Sequence, residues 1–142
     1  MTQSRTHNCN EPRLSNAGEK LEDQYIWLGE STRADGFRMV ENLLSQKELP
    51  DAIICANNYI ALGCVDAVAK KGFRIPKDIG VMAFDNFPFS QIIEPPLTVV
   101  DINVRDMGAQ AAKFLTDIMR HPNTQIQTYI TTSNVIVRGS TR

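Results

Sequence analysis

The chain has little of what catalytic, disulfide-rich and membrane proteins depend on. Among its 142 residues are three cysteines, two histidines and one tryptophan, and its formal charge is −1. It contains no apolar run of about 18 residues, which a membrane-spanning helix would need. Its near-neutral charge gives no electrostatic reason to expect binding to nucleic acid or to an anionic membrane. We therefore expect a globular cytoplasmic protein that does not associate with membranes.

The cysteines are too few and too scattered for a disulfide framework. Cys9, Cys55 and Cys64 form an odd set without a C-x-x-C pair. Cys55 lies in an apolar run and Cys64 in a helical pattern, which is typical of buried reduced thiols. The sequence therefore predicts neither a disulfide nor a metal site.

Catalytic motifs are also absent from the sequence. There is no G-x-S-x-G, no G-x-G-x-x-G and no phosphate-binding loop. His7 lies in a polar stretch, and His121 lies at a predicted helix end, where a dipole partner is more common than a catalytic base. The sequence predicts a protein that is not an enzyme and has no cofactor.

What the sequence does contain is an alternation of short apolar runs and amphipathic segments. Residues 1–22 are polar and aperiodic, and we expect a mobile leader there, followed by one domain over residues 23–142. The later pattern predicts strands at 25–28, 52–56, 79–84, 97–102, 127–132 and 134–137, and helices at 32–46, 57–71 and 103–120. The order β-α-β-α-β with short connections indicates an α/β fold. We expect a mainly parallel, Rossmann-like sheet with helices on both faces.

Polar side chains follow two of the predicted strands. Asn57 and Asn58 come directly after one apolar run, and Asp85 follows another. Because ligands of open α/β sheets bind outside the carboxyl ends of the strands, these groups could hydrogen-bond a polyhydroxylated ligand. The alternative is that Asn57 or Asn58 only caps a helix and Asp85 only forms a turn. Spacing leaves both interpretations open.

Several stretches together resemble a known family, the LacI/GalR-type transcription regulators, over residues 25–141. The resemblance covers their C-terminal part and is carried by the order and gaps of five segments: 50–63 (PDAIICANNYIALG), 72–81 (GFRIPKDIGV), 84–86 (FDN), 95–98 (PPLT) and 137–140 (VRGS).

The resemblance implies a core of two Rossmann-like subdomains, as in periplasmic sugar-binding proteins, with a small effector held between them. The effector would be a sugar, sugar phosphate or nucleobase, and members act as homo-oligomers. Positions matching Asp85 and Asn57 commonly contact the effector. The position matching Ser31 often carries a stacking aromatic ring, which serine does not supply.

This chain lacks the helix-turn-helix headpiece, the hinge helix and most of the N-terminal subdomain that the resemblance would lead us to expect. We therefore expect DNA to be bound only by the headpiece of a whole regulator, which is missing here. Residues 98–121 are expected to cross toward the missing subdomain, which leaves the apolar stripe of helix 103–120 without its partner. We expect this stripe to drive dimerisation, or exchange of a strand and helix between copies, unless the helix docks back on its own sheet.

A solute-binding protein for sugar uptake shares the fold and is the alternative function. It would need a signal peptide, and residues 1–24 contain no apolar core of one. The PPLT and RGS segments favour the regulator.

Overall fold

The computed structural model describes residues 25–123, 125 and 128–142. The expected leader, residues 1–22, lies outside the described residues. The chain divides into two compact units, Met1–Glu30 and Ser31–Arg142. In the first unit, residues 26–30 belong to no helix or strand, so the strand predicted at 25–28 is wrong. A short apolar run becomes a strand only when a neighbouring strand completes its backbone hydrogen bonds, and these residues make no such pairing.

The second unit carries the regular structure, and its elements follow the predicted order closely. They are α1 (Arg33–Leu43), β1 (Ala52–Cys55), α2 (Asn58–Lys70), β2 (Gly80–Phe84), a 3-10 turn (Pro88–Gln91), β3 (Thr98–Ile102), α3 (Val104–Arg120) and β4 (Ser133–Ile136).

The strands form one sheet in the order β1-β2-β3-β4. The first three are parallel, and β4 runs antiparallel to β3. The predicted α/β fold with a mainly parallel sheet is confirmed. Of the two strands expected near the C-terminus, the second is present as β4. For the first, residues 128–132 are described and lie outside any strand.

Helix ends follow the capping residues in the sequence. Thr32 Oγ1 accepts from the Asp35 backbone N–H at 3.1 Å. The Asp35 carboxylate pairs with Arg38, one turn later in the helix. Gly72 has φ 80°, and it ends α2 in the left-handed conformation that glycine adopts without strain.

One face of the sheet forms the core with α1 and α2. The buried side chains on this face include Cys55, Val81, Ala83 and Val99, which pack against Val40, Cys64 and Val68 of the helices. Along β1, Ile54 points to the other face and is 65% exposed. The two packed helices thus lie together, on the same side of the sheet as the buried strand residues.

Two glycines allow α1 and α2 to approach closely. A Cβ on Gly63 would lie 2.0 Å from the Arg33 carbonyl oxygen, and one on Gly36 would lie 2.3 Å from the Ile60 carbonyl oxygen. Backbone therefore packs against backbone at this crossing, in the first half of both helices.

Helix α3 differs from the other two because none of its 17 residues is buried. Its apolar side chains remain in solvent: Met107 is 46% exposed, Leu115 61% and Met119 75%. Helix α3 therefore does not dock back on its own sheet, which was one of the two outcomes expected for it.

Candidate functional site

Asp85 lies directly after β2, at the carboxyl edge of the sheet. Its backbone is in the left-handed region, with φ 72°, and its N–H donates to the Val100 carbonyl at 3.0 Å. The residue is partly exposed, and its carboxylate makes no hydrogen bond or ion pair with the described residues. A non-glycine residue held at positive φ is uncommon and points to a specific local constraint. Here the result is a carboxylate at the end of the strand that is available to a ligand.

Asn57 is the N-cap of α2. Its Oδ1 accepts from the Ile60 backbone N–H at 2.9 Å, so the capping interpretation is correct for this oxygen. The Nδ2 group of Asn57 has no hydrogen bond to the described residues and can still donate to a ligand. Capping and ligand contact are therefore compatible at this position, since they use different atoms.

Asn58 holds the segments that carry Asn57 and Asp85 together, and this structural role was not predicted from the sequence. It is fully buried, and its Nδ2 donates to the carbonyls of Phe84 at 2.8 Å and Asp85 at 2.9 Å. The start of α2 is thereby fixed against the end of β2, which brings Asn57 and Asp85 to the same edge. Its Oδ1 is buried without a hydrogen-bond partner among the described residues. The paired asparagines after an apolar run were the only sequence signal for this role.

Ser31 lies exposed at the start of the second unit, just before the α1 cap Thr32. Because the first turn of α1 packs against the first half of α2, Ser31 belongs to the same end of the molecule as Asn57. No hydrogen bond joins Ser31 to Asn57 or Asp85 among the described residues. Its small hydroxyl offers a hydrogen bond but no stacking surface.

A polar crevice of about 240 Å³ lies farther along the same edge, where β3 passes into α3. Its lining includes Asp101, Asn103 and Arg105 with Thr132 and Asn134. Asp85, Asn57 and Ser31 are not part of this lining. The crevice is a separate polar surface beside the candidate site.

The two described cysteines do not contribute to this site. Cys55 and Cys64 are both buried and form no disulfide with each other, as expected of reduced thiols. A hydrogen bond with Cys55, together with burial, raises the pKa of Cys64 well above its usual value. Cys64 therefore stays a protonated, unreactive core residue at neutral pH. The third cysteine, Cys9, lies outside the described residues.

Neither a metal cluster nor a membrane span occurs in the part of the chain that the structure describes. No group of three or more histidine, cysteine, aspartate or glutamate side chains is placed there to hold a metal ion. None of the helices there is long and apolar enough to cross a membrane.

The fold, with polar side chains at the carboxyl edge of the sheet, matches a known family of proteins. The family model of the periplasmic binding protein-like domain matches residues 4–141, and the chain belongs to this family. Within it, the chain corresponds to the C-terminal effector-binding part of LacI-type transcription regulators, as the following relatives show.

The curated relatives are transcriptional repressors. The chain is 28% identical over 129 residues to the repressor PurR of Mannheimia succiniciproducens, covering 91% of this chain and 39% of PurR. It is 32% identical over 122 residues to the probable repressor ExuR of Bacillus subtilis, covering 86% and 37%. It is 30% identical over 129 residues to the repressor CytR of Escherichia coli, covering 91% and 38%. The chain thus spans about two fifths of the length of these relatives.

Solved structures give the same result. A LacI-type regulator from Bacillus cereus subsp. cytotoxis matches with a TM-score of 0.88 and 32% identity, over 92% of this chain and 46% of that one. The regulator CelR, solved in complex with cellobiose, matches with a TM-score of 0.85 and 25% identity, over 92% and 40%. The resemblance seen in the sequence is confirmed.

Proposed function

We propose that this chain supplies one half of the effector site of a LacI-type, DNA-binding transcription regulator, and that it is not an enzyme. The effector is a small polar molecule of the sugar, sugar phosphate or nucleobase class. In the whole regulator, binding would stabilise one of two states and so change operator affinity. This chain would contact DNA only through a separate headpiece, and it would act in the cytoplasm.

The observation that carries the proposal is that the carboxylate of Asp85 and the Nδ2 group of Asn57 both lie without a hydrogen-bond partner among the described residues, at the same carboxyl edge of a mainly parallel sheet. A carboxylate accepts hydrogen bonds from hydroxyl or ring N–H groups, and an amide donates to ring or hydroxyl oxygens. Ligands that lack the matching group would leave these atoms unpaired and bind less tightly. The cellobiose complex of CelR supports a sugar as one candidate, since that relative shares the fold.

Calorimetry tests this site directly. Cellobiose, glucose 6-phosphate and adenine would be titrated into the wild-type chain and into Asp85→Ala. Losing hydrogen bonds to a charged group should weaken binding roughly tenfold to a hundredfold. The matched control is Asp51→Ala, because Asp51 is an exposed carboxylate at the amino end of β1. Equal affinity in wild type and Asp85→Ala would refute the assignment of Asp85.

Asn57 can be tested without disturbing α2. In Asn57→Ser the hydroxyl oxygen still caps the helix, while the amide donor is removed. We expect weaker binding with unchanged thermal stability. A loss of stability equal to that of Asn57→Ala would show that the substitution has not separated the two roles, and unchanged binding would remove Asn57 from the site.

We also propose that the exposed stripe of α3 binds a second copy of this chain. The stripe holds Met107, Leu115 and Ile118, each at least 42% exposed. Burying such a side chain contributes about 1.5–3 kcal/mol, so an interface of a few of them favours association. The charge of −1 opposes self-association only weakly.

Sedimentation over a range of concentrations tests the interface. Leu115→Lys should shift the wild-type assembly to monomer, whereas Ile92→Lys, at a side chain 82% exposed in the loop after β2, should not. A wild-type chain that stays monomeric at every concentration contradicts the proposal. Dissociation by Ile92→Lys alone would move the interface to that loop.

A further inference from the structure

The C-terminal segment that follows β4 is fixed on the core by hydrogen bonds from Ser140. Its Oγ donates to the Val81 carbonyl at 2.6 Å and accepts from the Thr98 N–H at 2.7 Å. Ser140 is fully buried, and its own carbonyl accepts from the Val81 N–H. The segment therefore spans β2 and β3 with its backbone held in place.

Arg138 extends from this fixed backbone toward the loop that carries Asp85. The Arg138 backbone N–H donates to Thr98 Oγ1 at 2.9 Å, which sets where the side chain begins. The guanidinium then reaches Asn86, donating from Nη2 to Oδ1 at 2.8 Å. Asn86 is the residue directly after Asp85, so the contact acts one peptide away from the candidate ligand-binding carboxylate.

The second guanidinium nitrogen holds the far end of the same loop. Nη1 of Arg138 donates to the Leu97 carbonyl at 2.7 Å and to Ser90 Oγ at 3.2 Å. Ser90 is buried in the 3-10 turn, and its carbonyl accepts from the Leu97 N–H at 2.7 Å. One side chain thus joins the beginning, the middle and the end of the loop over residues 86–97.

These contacts complement the one from α2. Asn58 holds the carbonyl oxygens of Phe84 and Asp85, on the strand side of the carboxylate. Arg138 holds Asn86, on the loop side. A residue with φ 72° needs such support on both sides, because its conformation is unfavourable in isolation.

We infer that Arg138 is a positioning residue for Asp85: it links the C-terminal segment to the loop after β2 and so sets the ligand affinity of that carboxylate. The inference rests on the proposed function for its effect on affinity, whereas its effect on the loop is independent of any ligand. Arginine suits the task because its planar fork donates to several acceptors at once.

Amide hydrogen exchange on the whole chain is the primary test. In Arg138→Met, exchange of the Ser90 and Leu97 amides should accelerate about tenfold or more, because bonds to a charged group are lost. The control is Arg142→Met, since Arg142 lies in the same segment but donates to the carbonyls of Pro76 and Lys77. Arg142→Met should leave the exchange rates of the Ser90 and Leu97 amides unchanged.

Two other variants keep the test decisive. Asn86→Ala removes the oxygen that accepts from Arg138 Nη2 and from Ser90 Oγ, so it should accelerate exchange near Asp85 even if Arg138→Met fails to fold. Arg138→Lys retains the charge without the fork and should give an intermediate rate. Uniform acceleration, including amides in the middle of α2, would show a general structural role and overturn the inference. So would unchanged exchange in Arg138→Met and Asn86→Ala.

Calorimetry with cellobiose, glucose 6-phosphate and adenine forms the second arm. For any of these that binds wild type, Arg138→Met should weaken binding about fivefold or more, and Arg142→Met should not. Faster loop exchange with unchanged affinity would overturn the link to Asp85. If none of the three binds wild type, the proposed function fails for them, and the exchange result still decides whether Arg138 positions the loop.

Discussion

Helices α2 and α3 are both amphipathic, yet they end in opposite environments. In α2, Ala61, Cys64 and Val68 are buried against the sheet. In α3, a clearer apolar stripe faces solvent along its whole length. An apolar periodicity therefore indicates that a helix needs a partner surface, without indicating whether the same chain provides it. Helix α2 stabilises the domain by its buried side chains, whereas α3 leaves its apolar side chains exposed.

The glycines of the two helices provide the largest expected difference. In Gly63→Ala the new Cβ would meet α1 backbone atoms at 2.0 and 2.6 Å, so the helices must separate. We expect destabilisation of about 4 kcal/mol or more, or failure to fold. In α3, a Cβ added to Gly108 would have no other atom within 4 Å, and Gly108→Ala should stabilise by up to about 1 kcal/mol. Urea denaturation measures both, and similar effects at the two glycines would contradict the packing.

Two leucines, one buried just before β3 and one exposed on α3, test the contrast between buried and exposed apolar side chains. Leu97 is fully buried, and Leu97→Ala should cost about 3 kcal/mol through lost burial and a residual cavity. Leu115 is 61% exposed, so in dilute monomer Leu115→Ala should change stability by less than about 0.5 kcal/mol. A loss for Leu115→Ala that grows with protein concentration would support association through α3. A large loss at high dilution would show that α3 packs within the chain.

A substitution at Asn58 tests how much the hydrogen bonds between α2 and the end of β2 contribute to stability. Asn58→Leu removes the donor group and leaves the Phe84 and Asp85 carbonyls without their partner, at a cost of about 2 kcal/mol. The matched variant is Asn42→Leu, at an exposed position on α1, with an expected change below about 0.5 kcal/mol. Thermal unfolding compares them. Equal stability of the two variants would mean that the hydrogen bonds from Asn58 contribute little to the free energy of unfolding.

The smallest expected effect is a pH dependence at the turn before β2. The side chain and backbone N–H of Arg74 bond Asp78 and lower the pKa of that carboxyl. Its contribution to stability is present above the unfolded pKa and is lost as pH falls through the lower folded pKa. Asp78→Asn should therefore flatten the acid limb of the stability curve slightly, as urea midpoints between neutral pH and about pH 3 would show. Unchanged acid dependence would contradict this.

Much of the fold could be predicted from local sequence. Thr32, Asn103 and the first residue of the Asn57–Asn58 pair each cap a helix, because a cap depends on a side chain and a backbone N–H three residues later. The three parallel strands followed from short apolar runs between helices. The strand expected at 25–28 failed, since strand formation depends on a neighbour that local sequence does not specify.

The candidate site was only partly accessible to sequence reasoning. Asp85 and Asn57 could be predicted as candidates because ligands bind where parallel strands end. Arg138 could not be found in this way, because 52 residues separate it from Asn86. Asn58 was noticed as a polar residue, but its bonds to the Phe84 and Asp85 carbonyls depend on how α2 sits against β2.

By itself the sequence determined which residues cap helices, which runs are apolar enough to be buried, and where Asp85 leaves its strand, since these depend on neighbours a few residues apart. Only the tertiary structure decided which amphipathic helix is buried, why Gly63 must lack a side chain, and how Arg138 reaches the loop after Asp85. Those outcomes depend on contacts between distant segments, whose geometry is set by the packing of the whole sheet and its helices.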